Sequence, residues 1–122
     1  MTNEELFVQG NETKDITIDS NGKTYPFKIR LLSGYQKDEI NSRAANIDPI
    51  TKKTDMNIAE MHFWYIKRGV VEAPFELTDS NIKKLQGDMF TKLADEVYKF
   101  NKIDEHRRFS RLLKGAIITG FN

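Results

Sequence analysis

The side chains that most often bind metals are sparse in this sequence. Cysteine is absent, and His62 and His106 are its two histidines. A zinc site needs at least three converging ligands, and the two histidines lie far apart with no second ligand at helical spacing. His62 flanks an apolar helical stripe, so we interpret it as a residue at the edge of the core. We therefore predict no metal site.

Motifs for nucleophilic catalysis and for phosphate binding are missing as well. Without cysteine, the nucleophile would be a serine or threonine activated by a nearby base, and no serine stands in a G-x-S-x-G turn. The seven glycines are scattered and form neither a G-x-x-x-x-G-K-[ST] loop nor a G-x-G-x-x-G fingerprint. We expect no enzymatic activity, no catalytic residue and no cofactor.

A basic cluster near the C-terminus is one candidate site. A basic helix can contact the phosphates of nucleic acid, and a helix starting after Asp104 would carry the cluster. The net charge of +1 does not give the strong positive field that is typical of nucleic-acid binders. We favour a solvated surface. The alternative, a nucleic-acid-binding regulator, would use four residues as phosphate contacts: Arg107, Arg108, Arg111 and Lys114.

The last eight residues, 115–122, are unusually apolar for a chain end. Such a segment could pack as one more buried element. It could equally dock in a groove or on a sheet edge of another protein, and both interpretations stay open. The second makes four residues candidate partner contacts: Leu113, Ile117, Ile118 and Phe121.

The overall composition is that of a folded chain. Its 122 residues are 39% hydrophobic and 30% charged, which is too apolar for disorder and fits one domain. We assign residues 1–13 to a flexible N-terminal arm and residues 14–122 to a single domain. The sequence has neither a secretory signal pattern nor an apolar run of about 20 residues that could span a bilayer. We expect a cytoplasmic protein that does not contact membranes.

Residues 14–32 have the pattern of a β-hairpin. Ile16 and Ile18 alternate with polar residues, and Asn21-Gly22 favours a tight turn. Pro26 lacks an N–H group, which predicts either an edge strand or a position that turns outward from the ladder. The return strand carries four apolar residues on one face: Tyr25, Phe27, Ile29 and Leu31.

Four to five helices are predicted after the hairpin, and they must cover its apolar face because two strands alone are marginal. The predicted connections are of three kinds. A polar loop around Asp48-Pro49 separates the first helix from the second, and an extended segment at Val70–Phe75 separates the second from the third. Gly87-Asp88 ends the third helix before the fourth begins. The helices are Tyr35–Ala45 after a Ser33-Gly34 cap, Met56–Arg68 after an Asp55 cap, a short helix after Thr78, Met89–Asn101, and a last helix from Asp104 to about Leu113.

Apolar stripes complete the sequence-based description of the fold. The second helix has one at Ile58, Met61, Trp64 and Tyr65, and the fourth has one at Met89, Leu93, Val97 and Phe100. The predicted fold class is α+β, with an N-terminal antiparallel β-hairpin followed by a mainly helical bundle.

Two stretches of this sequence resemble a known family. One is the hairpin from Lys14 to Ser33, and the other runs from Val71 through Glu72-Ala73-Pro74 to the helix around Leu93 and Val97. Their order of hairpin, helical middle, Glu-Ala-Pro connection and leucine-spaced helix resembles the tail assembly chaperones of long-tailed phages and prophages. The resemblance covers most of residues 14–101.

This resemblance implies a small, non-enzymatic protein in the host cytoplasm. It would bind the tape measure protein, a long helical protein, before the tail tube polymerises around it. Tail tube subunits are a second implied partner, and a homo-oligomer is left open. The family has no catalytic residues to carry over. A small structural virion protein, such as a head–tail connector or a tail completion protein, is the main alternative, and the nucleic-acid-binding regulator is the second.

Overall fold

The computed structural model describes residues 6–8 and 12–102, and within them the predicted α+β class with an N-terminal antiparallel hairpin is confirmed. The strands are β1 (Thr13–Ser20), β2 (Lys23–Arg30), β3 (Ala45–Ile47), β4 (Thr54–Met56) and β5 (Val70–Glu72). The helices are α1 (Gly34–Ala44), α2 (Ile58–Gly69), α3 (Asp79–Lys83) and α4 (residues 87–102).

Strands β1 and β2 form the predicted hairpin. Their register pairs Ser20 with Lys23 and Ile16 with Phe27. Asn21 and Gly22 both have positive φ angles, 53° and 77°, as a type I′ turn requires. The hairpin buries its predicted apolar face, including Ile18, Phe27, Ile29 and Leu31. Strand β1 begins at Thr13, one residue before the predicted boundary.

Strand β2 is the central strand of a three-stranded sheet in the order β1-β2-β5, so the edge position considered for it is wrong. Strand β5 pairs with Lys28 and Ile29 and stops short of Pro26. In a hairpin with a two-residue turn, the pair next to the turn is hydrogen-bonded, and non-hydrogen-bonded and hydrogen-bonded pairs alternate from there. Pro26 and Thr17 form the fourth pair from the turn, which is a non-hydrogen-bonded one. Its nitrogen therefore faces away from β1 and costs no ladder bond, which is the second option that the sequence left open.

A short hairpin replaces the polar loop predicted between the first two helices. Strands β3 and β4 pair antiparallel, with Asn46 opposite Asp55. Asp55 is thus a strand residue, and the cap predicted there is wrong. Asn57 caps α2 instead, because its Oδ1 accepts a hydrogen bond from the backbone N of Glu60 at 3.2 Å. We call residues 45–56 the β3–β4 ribbon.

Helix α2 faces the core with part of the predicted stripe and with further residues: Tyr65 is buried, and Met61 and Trp64 pack half-buried against the core. Phe63, Tyr65, Ile66 and Gly69 are buried, whereas Ile58 is 58% exposed. Apolar residues occupy so many positions of this helix that spacings of three and four fit more than one stripe. Contacts with the sheet and with α4 select between them.

Helix α4 carries its predicted stripe, with Met89, Leu93 and Val97 buried. The break predicted at Gly87-Asp88 is wrong, because α3 already ends at Lys83 and both residues belong to the first turn of α4. An acidic residue in the first turn is favourable to the helix dipole. The backbone N of Phe90 donates to the carbonyl oxygen of Gln86 at 2.9 Å, so Gln86 stands at the helix start.

Several predictions lie outside the described residues and stay predictions. They are the helix at 104–113, the tail at 115–122, the basic residues Arg107, Arg108, Arg111 and Lys114, and the candidate partner contacts Leu113, Ile117, Ile118 and Phe121. Within residues 6–8 and 12–102, no helix has both the length and the apolar character to cross a membrane.

Candidate protein-binding surfaces

The described residues bring together no constellation for metal chemistry. In this part of the chain, no group of three or more histidine, aspartate or glutamate side chains could hold a metal ion. His62 is half-buried and packs edge-on against Phe90, with 5.7 Å between the ring centroids. It thus lies at the edge of the core, as the sequence predicted.

An apolar groove lies between the β1–β2 hairpin and the segment that follows β5. It consists of two adjoining cavities of about 430 and 380 Å³ that share Phe27 and Pro74. We call it the Pro74 groove. The first cavity is also lined by Asp15, Ile16, Thr17, Pro26, Lys28, Glu72 and Ala73. The second is also lined by Ser20, Asn21, Tyr25, Phe75, Leu85, Gln86 and Met89.

Pairing of β5 with β2 positions the outer wall of this groove. The chain leaves β5 at Glu72 and turns through Pro74, so that the Phe75 ring packs edge-on against Phe27 with 6.2 Å between centroids. Phe27 itself is buried at the floor, while Phe75 stays half-buried above it. The groove therefore has a partly exposed aromatic wall over a buried aromatic floor.

Gln86 fixes the far end of the groove. Its Oε1 accepts hydrogen bonds from Ser20 Oγ at 3.0 Å and from Asn21 Nδ2 at 3.2 Å. These bonds tie the hairpin turn to the start of α4. Leu85 and Met89, on either side of Gln86, contribute apolar surface to the same end.

Charged groups flank the other end of the groove. The carboxylates of Asp15 and Glu72 lie 4.0 and 3.8 Å from Lys28 Nζ, and both acidic side chains are largely exposed. Exposed ion pairs of this kind contribute little to stability. Two carboxylates against one ammonium leave one net negative charge, which is available to a cationic group on a partner.

The β3–β4 ribbon displays apolar side chains to solvent. Ile47 is 66% exposed on β3, and Ile50 is 89% exposed at the tip. Ribbons of two short strands are marginally stable in water. An apolar side chain at such a tip contributes nothing to the core of this chain, so we interpret it as available for contact with another molecule.

Hydrogen bonds order the tip of the ribbon. Asp48 Oδ1 accepts from the backbone N of Ile50 at 2.8 Å and of Thr51 at 3.3 Å. These bonds hold the pKa of Asp48 below its ordinary value, because they favour the charged carboxylate. The backbone N of Lys52 donates to Asp48 O at 2.8 Å, and Lys52 adopts a left-handed conformation with φ of 61°. The tip thus presents Ile50, Lys52 and Lys53 from a fixed backbone.

A third surface feature surrounds Trp64. The guanidinium carbon of Arg43 lies 4.3 Å from the centroid of the indole, and that of Arg68 lies 5.2 Å from it. Glu39 bridges both arginines, at 3.7 Å to Arg43 Nη2 and 3.0 Å to Arg68 Nε. Because the ring is already covered and the charges are paired, we interpret this cluster as a link between α1 and α2.

Neither the Pro74 groove nor the ribbon was predicted as a binding surface from the sequence. The candidates chosen there were the basic helix and the apolar tail, which lie outside the described residues. One signal was present at Ile50, a large apolar residue between Pro49 and Thr51 in a segment interpreted as a polar loop. The groove had no local signal, because it joins residues that are distant in the sequence.

The chain matches no protein-family model, no curated protein and no solved structure in the comparisons with known proteins. A function must therefore be inferred from its surfaces and from the resemblance described above.

Proposed function

We propose that this protein is a non-enzymatic assembly factor that binds a helical protein partner, and that this partner is the tape measure protein of a long-tailed phage. The observation that carries the proposal is the Pro74 groove, an apolar trough with Phe27 at its floor that is open to solvent. The resemblance of residues 14–101 to tail assembly chaperones supplies the identity of the partner.

A groove of this kind suits an amphipathic helix. Such helices dock by placing apolar side chains from one face into a hydrophobic groove. Burying one large aliphatic side chain contributes about 1.5–3 kcal/mol. The two cavities on either side of Pro74 can each receive one such side chain, so that two anchors hold one partner helix.

The first test is co-expression of the tagged chain with the tape measure protein, followed by affinity capture. We expect a soluble complex. A Pro74→Arg variant should capture at least about tenfold less partner, because a large charged side chain then stands between the two cavities, a loss of about 1.4 kcal/mol by the thermodynamic conversion. Pro74 is exposed, so the substitution should leave folding intact. Failure of the wild-type chain to capture the partner would contradict the proposal.

The matched control is Glu76→Arg. Glu76 is exposed and lies two residues beyond Pro74 without lining the groove. The Glu76→Arg variant introduces the same side chain on the same segment, and it should leave capture of the partner unchanged. Equal loss in both variants would point to a general charge effect rather than to the groove.

The tail predicted as a partner contact is tested by deleting residues 115–122. The expected result is weaker partner binding with little loss of melting temperature. A large drop in melting temperature with binding preserved would contradict that prediction.

A structural virion protein would be found in purified phage particles, whereas an assembly factor would be absent from them. A nucleic-acid-binding regulator would instead bind nucleic acid with an affinity that falls steeply with salt.

A further inference from the structure

We infer that the tip of the β3–β4 ribbon inserts Ile50 into the Pro74 groove of a second copy of this chain, so that copies associate head to tail. The inference does not depend on the proposed function, because it needs no other protein. It depends on three relationships between the ribbon and the groove: apolar fit, charge and position.

The first relationship is the apolar fit between Ile50 and the Pro74 groove. Ile50 is the most exposed large hydrophobic side chain among the described residues. Ile50 is 89% exposed and protrudes from a turn whose backbone is fixed by Asp48. A preorganised loop loses little entropy on binding. Each cavity of the groove, at about 380–430 Å³, has room for a branched aliphatic side chain.

The charges next to these two surfaces are opposite. Lys52 and Lys53 follow Ile50 at the tip and are exposed. Asp15 and Glu72 flank the groove with one net negative charge after pairing with Lys28. The acidic residue of the tip, Asp48, is turned back onto its own backbone. Electrostatic complementarity of this kind gives an interface its specificity and orientation.

The ribbon and the groove lie so far apart in the fold that the contact must form between two copies of the chain. The ribbon returns to the body at the start of α2, where the backbone N of Asn57 donates to Ala44 O at 2.7 Å. The outer wall of the groove follows the other end of α2, beyond Val70. A helix of 12 residues is about 18 Å long, so ribbon and groove lie at opposite ends of it.

A contact between two different surfaces of the same chain is heterologous. After two copies join, one ribbon and one groove remain free, so association continues as an open chain unless the rotation closes a ring. This behaviour differs from that of a symmetric dimer, in which both copies use the same surface and growth stops at two.

The test uses sedimentation velocity and light scattering on the full chain over a range of concentrations. We expect the average mass of the wild type to rise with concentration. Ile50→Asp removes the anchor and Pro74→Arg blocks the groove, and each variant alone should remain monomeric. Both positions are exposed, so circular dichroism and melting temperature should match the wild type. Ile58→Asp, another exposed isoleucine away from the tip, should still associate.

Mixing the two monomeric variants gives the sharpest result. Ile50→Asp retains an intact groove and Pro74→Arg retains an intact ribbon, so the mixture should form a 1:1 dimer that does not grow. Lys52→Glu with Lys53→Glu should weaken association at least about tenfold, and adding Asp15→Lys and Glu72→Lys to that same chain should restore it, because ribbon and groove have then exchanged their charges. A wild type that stays monomeric, or a mixture that stays monomeric, would overturn the inference.

Failure of this inference is distinguishable from failure of the proposed function. A monomeric wild type that captures the tape measure protein contradicts only self-association. A self-associating wild type that captures no partner contradicts only the proposed function. Where both hold, ribbon and partner compete for one groove, and Ile50→Asp should bind the partner at least as tightly as the wild type does.

Discussion

Gly69 and Val97 are in direct contact across the interface between α2 and α4. The backbone of Gly69 lies so close to Val97 Cγ1 that even a methyl group on Gly69 would overlap it. Both residues are buried. Because protein interiors are close-packed, the spacing of these two helices depends on the absence of a side chain at position 69.

Substitution of Gly69 by alanine is expected to lower the free energy of unfolding. The added methyl group must push Val97 aside, and overpacking of this kind costs about 1–3 kcal/mol. The measurement is urea denaturation followed by circular dichroism. Gly34→Ala is the control, because a side chain at that helix position would meet no other atom within 4 Å, and alanine favours helix. Equal stability of Gly69→Ala and wild type would show that the helices can separate without cost.

Asn101 is expected to be a main polar determinant of stability. Its Oδ1 accepts from the backbone N of Leu32 at 2.6 Å, and its Nδ2 donates to Val97 O at 2.9 Å and to Arg30 O at 3.3 Å. Asn101→Ala would leave the buried backbone N of Leu32 unpaired, at a cost of about 1–3 kcal/mol.

Thermal and urea unfolding of Asn101→Ala give this cost directly. Asn41→Ala, at an exposed position of α1, provides the comparison and should change stability by less than about 0.5 kcal/mol. Hydrogen exchange gives a second observable, since the amide of Leu32 should lose protection in the Asn101 variant. Unchanged protection of that amide would contradict the assigned bond.

Asp48 is expected to make the ribbon tip sensitive to acid. Hydrogen bonds from Ile50 and Thr51 lower the pKa of Asp48 in the folded chain, whereas an unfolded chain has the ordinary value of about 4. The resulting stabilisation is present above pH 4 and is lost as the pH falls through the folded pKa. A carbon-detected NMR titration of the Asp48 carboxylate should show a midpoint below that of aspartate in a short peptide.

The Asp48→Asn variant provides the control for this titration. It should be less stable than the wild type near neutral pH, and the difference between them should shrink as the pH is lowered below about 4. A difference that stays constant with pH would contradict the role given to the carboxylate.

Arg43 and Trp64 are expected to be energetically coupled. Stacking of a guanidinium on an indole contributes about 0.5–1 kcal/mol at partly exposed sites. A double-mutant cycle of Arg43→Met and Trp64→Leu should therefore show a coupling of that size. The control is a second double-mutant cycle, of Arg43→Met with Tyr98→Leu. Tyr98 lies on α4 and does not stack on Arg43, so the two effects on stability should be additive.

The sequence predicted those parts of the fold that depend on local signals. The β1–β2 hairpin follows from Asn21-Gly22 and from strict alternation, and the starts of α1 and α3 follow from Ser33 and Thr78 as N-caps. In each case the residues that determine the structure are neighbours in the chain. Local chemistry is sufficient there because the competing conformations lack the same hydrogen bonds.

The features that were missed depend on contacts between distant residues. Strand β5 has three residues, and it is a strand because Val70 meets Ile29. The groove exists because Phe75 reaches Phe27, and no spacing within either segment indicates this. The N-cap of α2 was also missed, although Asp55 and Asn57 are both good caps by residue type. Strand pairing of Asp55 with Asn46 decides between them.

The bond between Leu32 and Asn101 joins residues 69 positions apart, and this separation has a consequence during protein synthesis. At about 5–20 residues per second, the ribosome makes Asn101 roughly 3–14 s after the hairpin is complete. During this interval the apolar face of the hairpin has no α4 to cover it, and exposed apolar surface of this kind makes a nascent chain prone to aggregation. Slower translation of residues 33–101 would lengthen the interval and increase the fraction of chains that are captured by cellular chaperones.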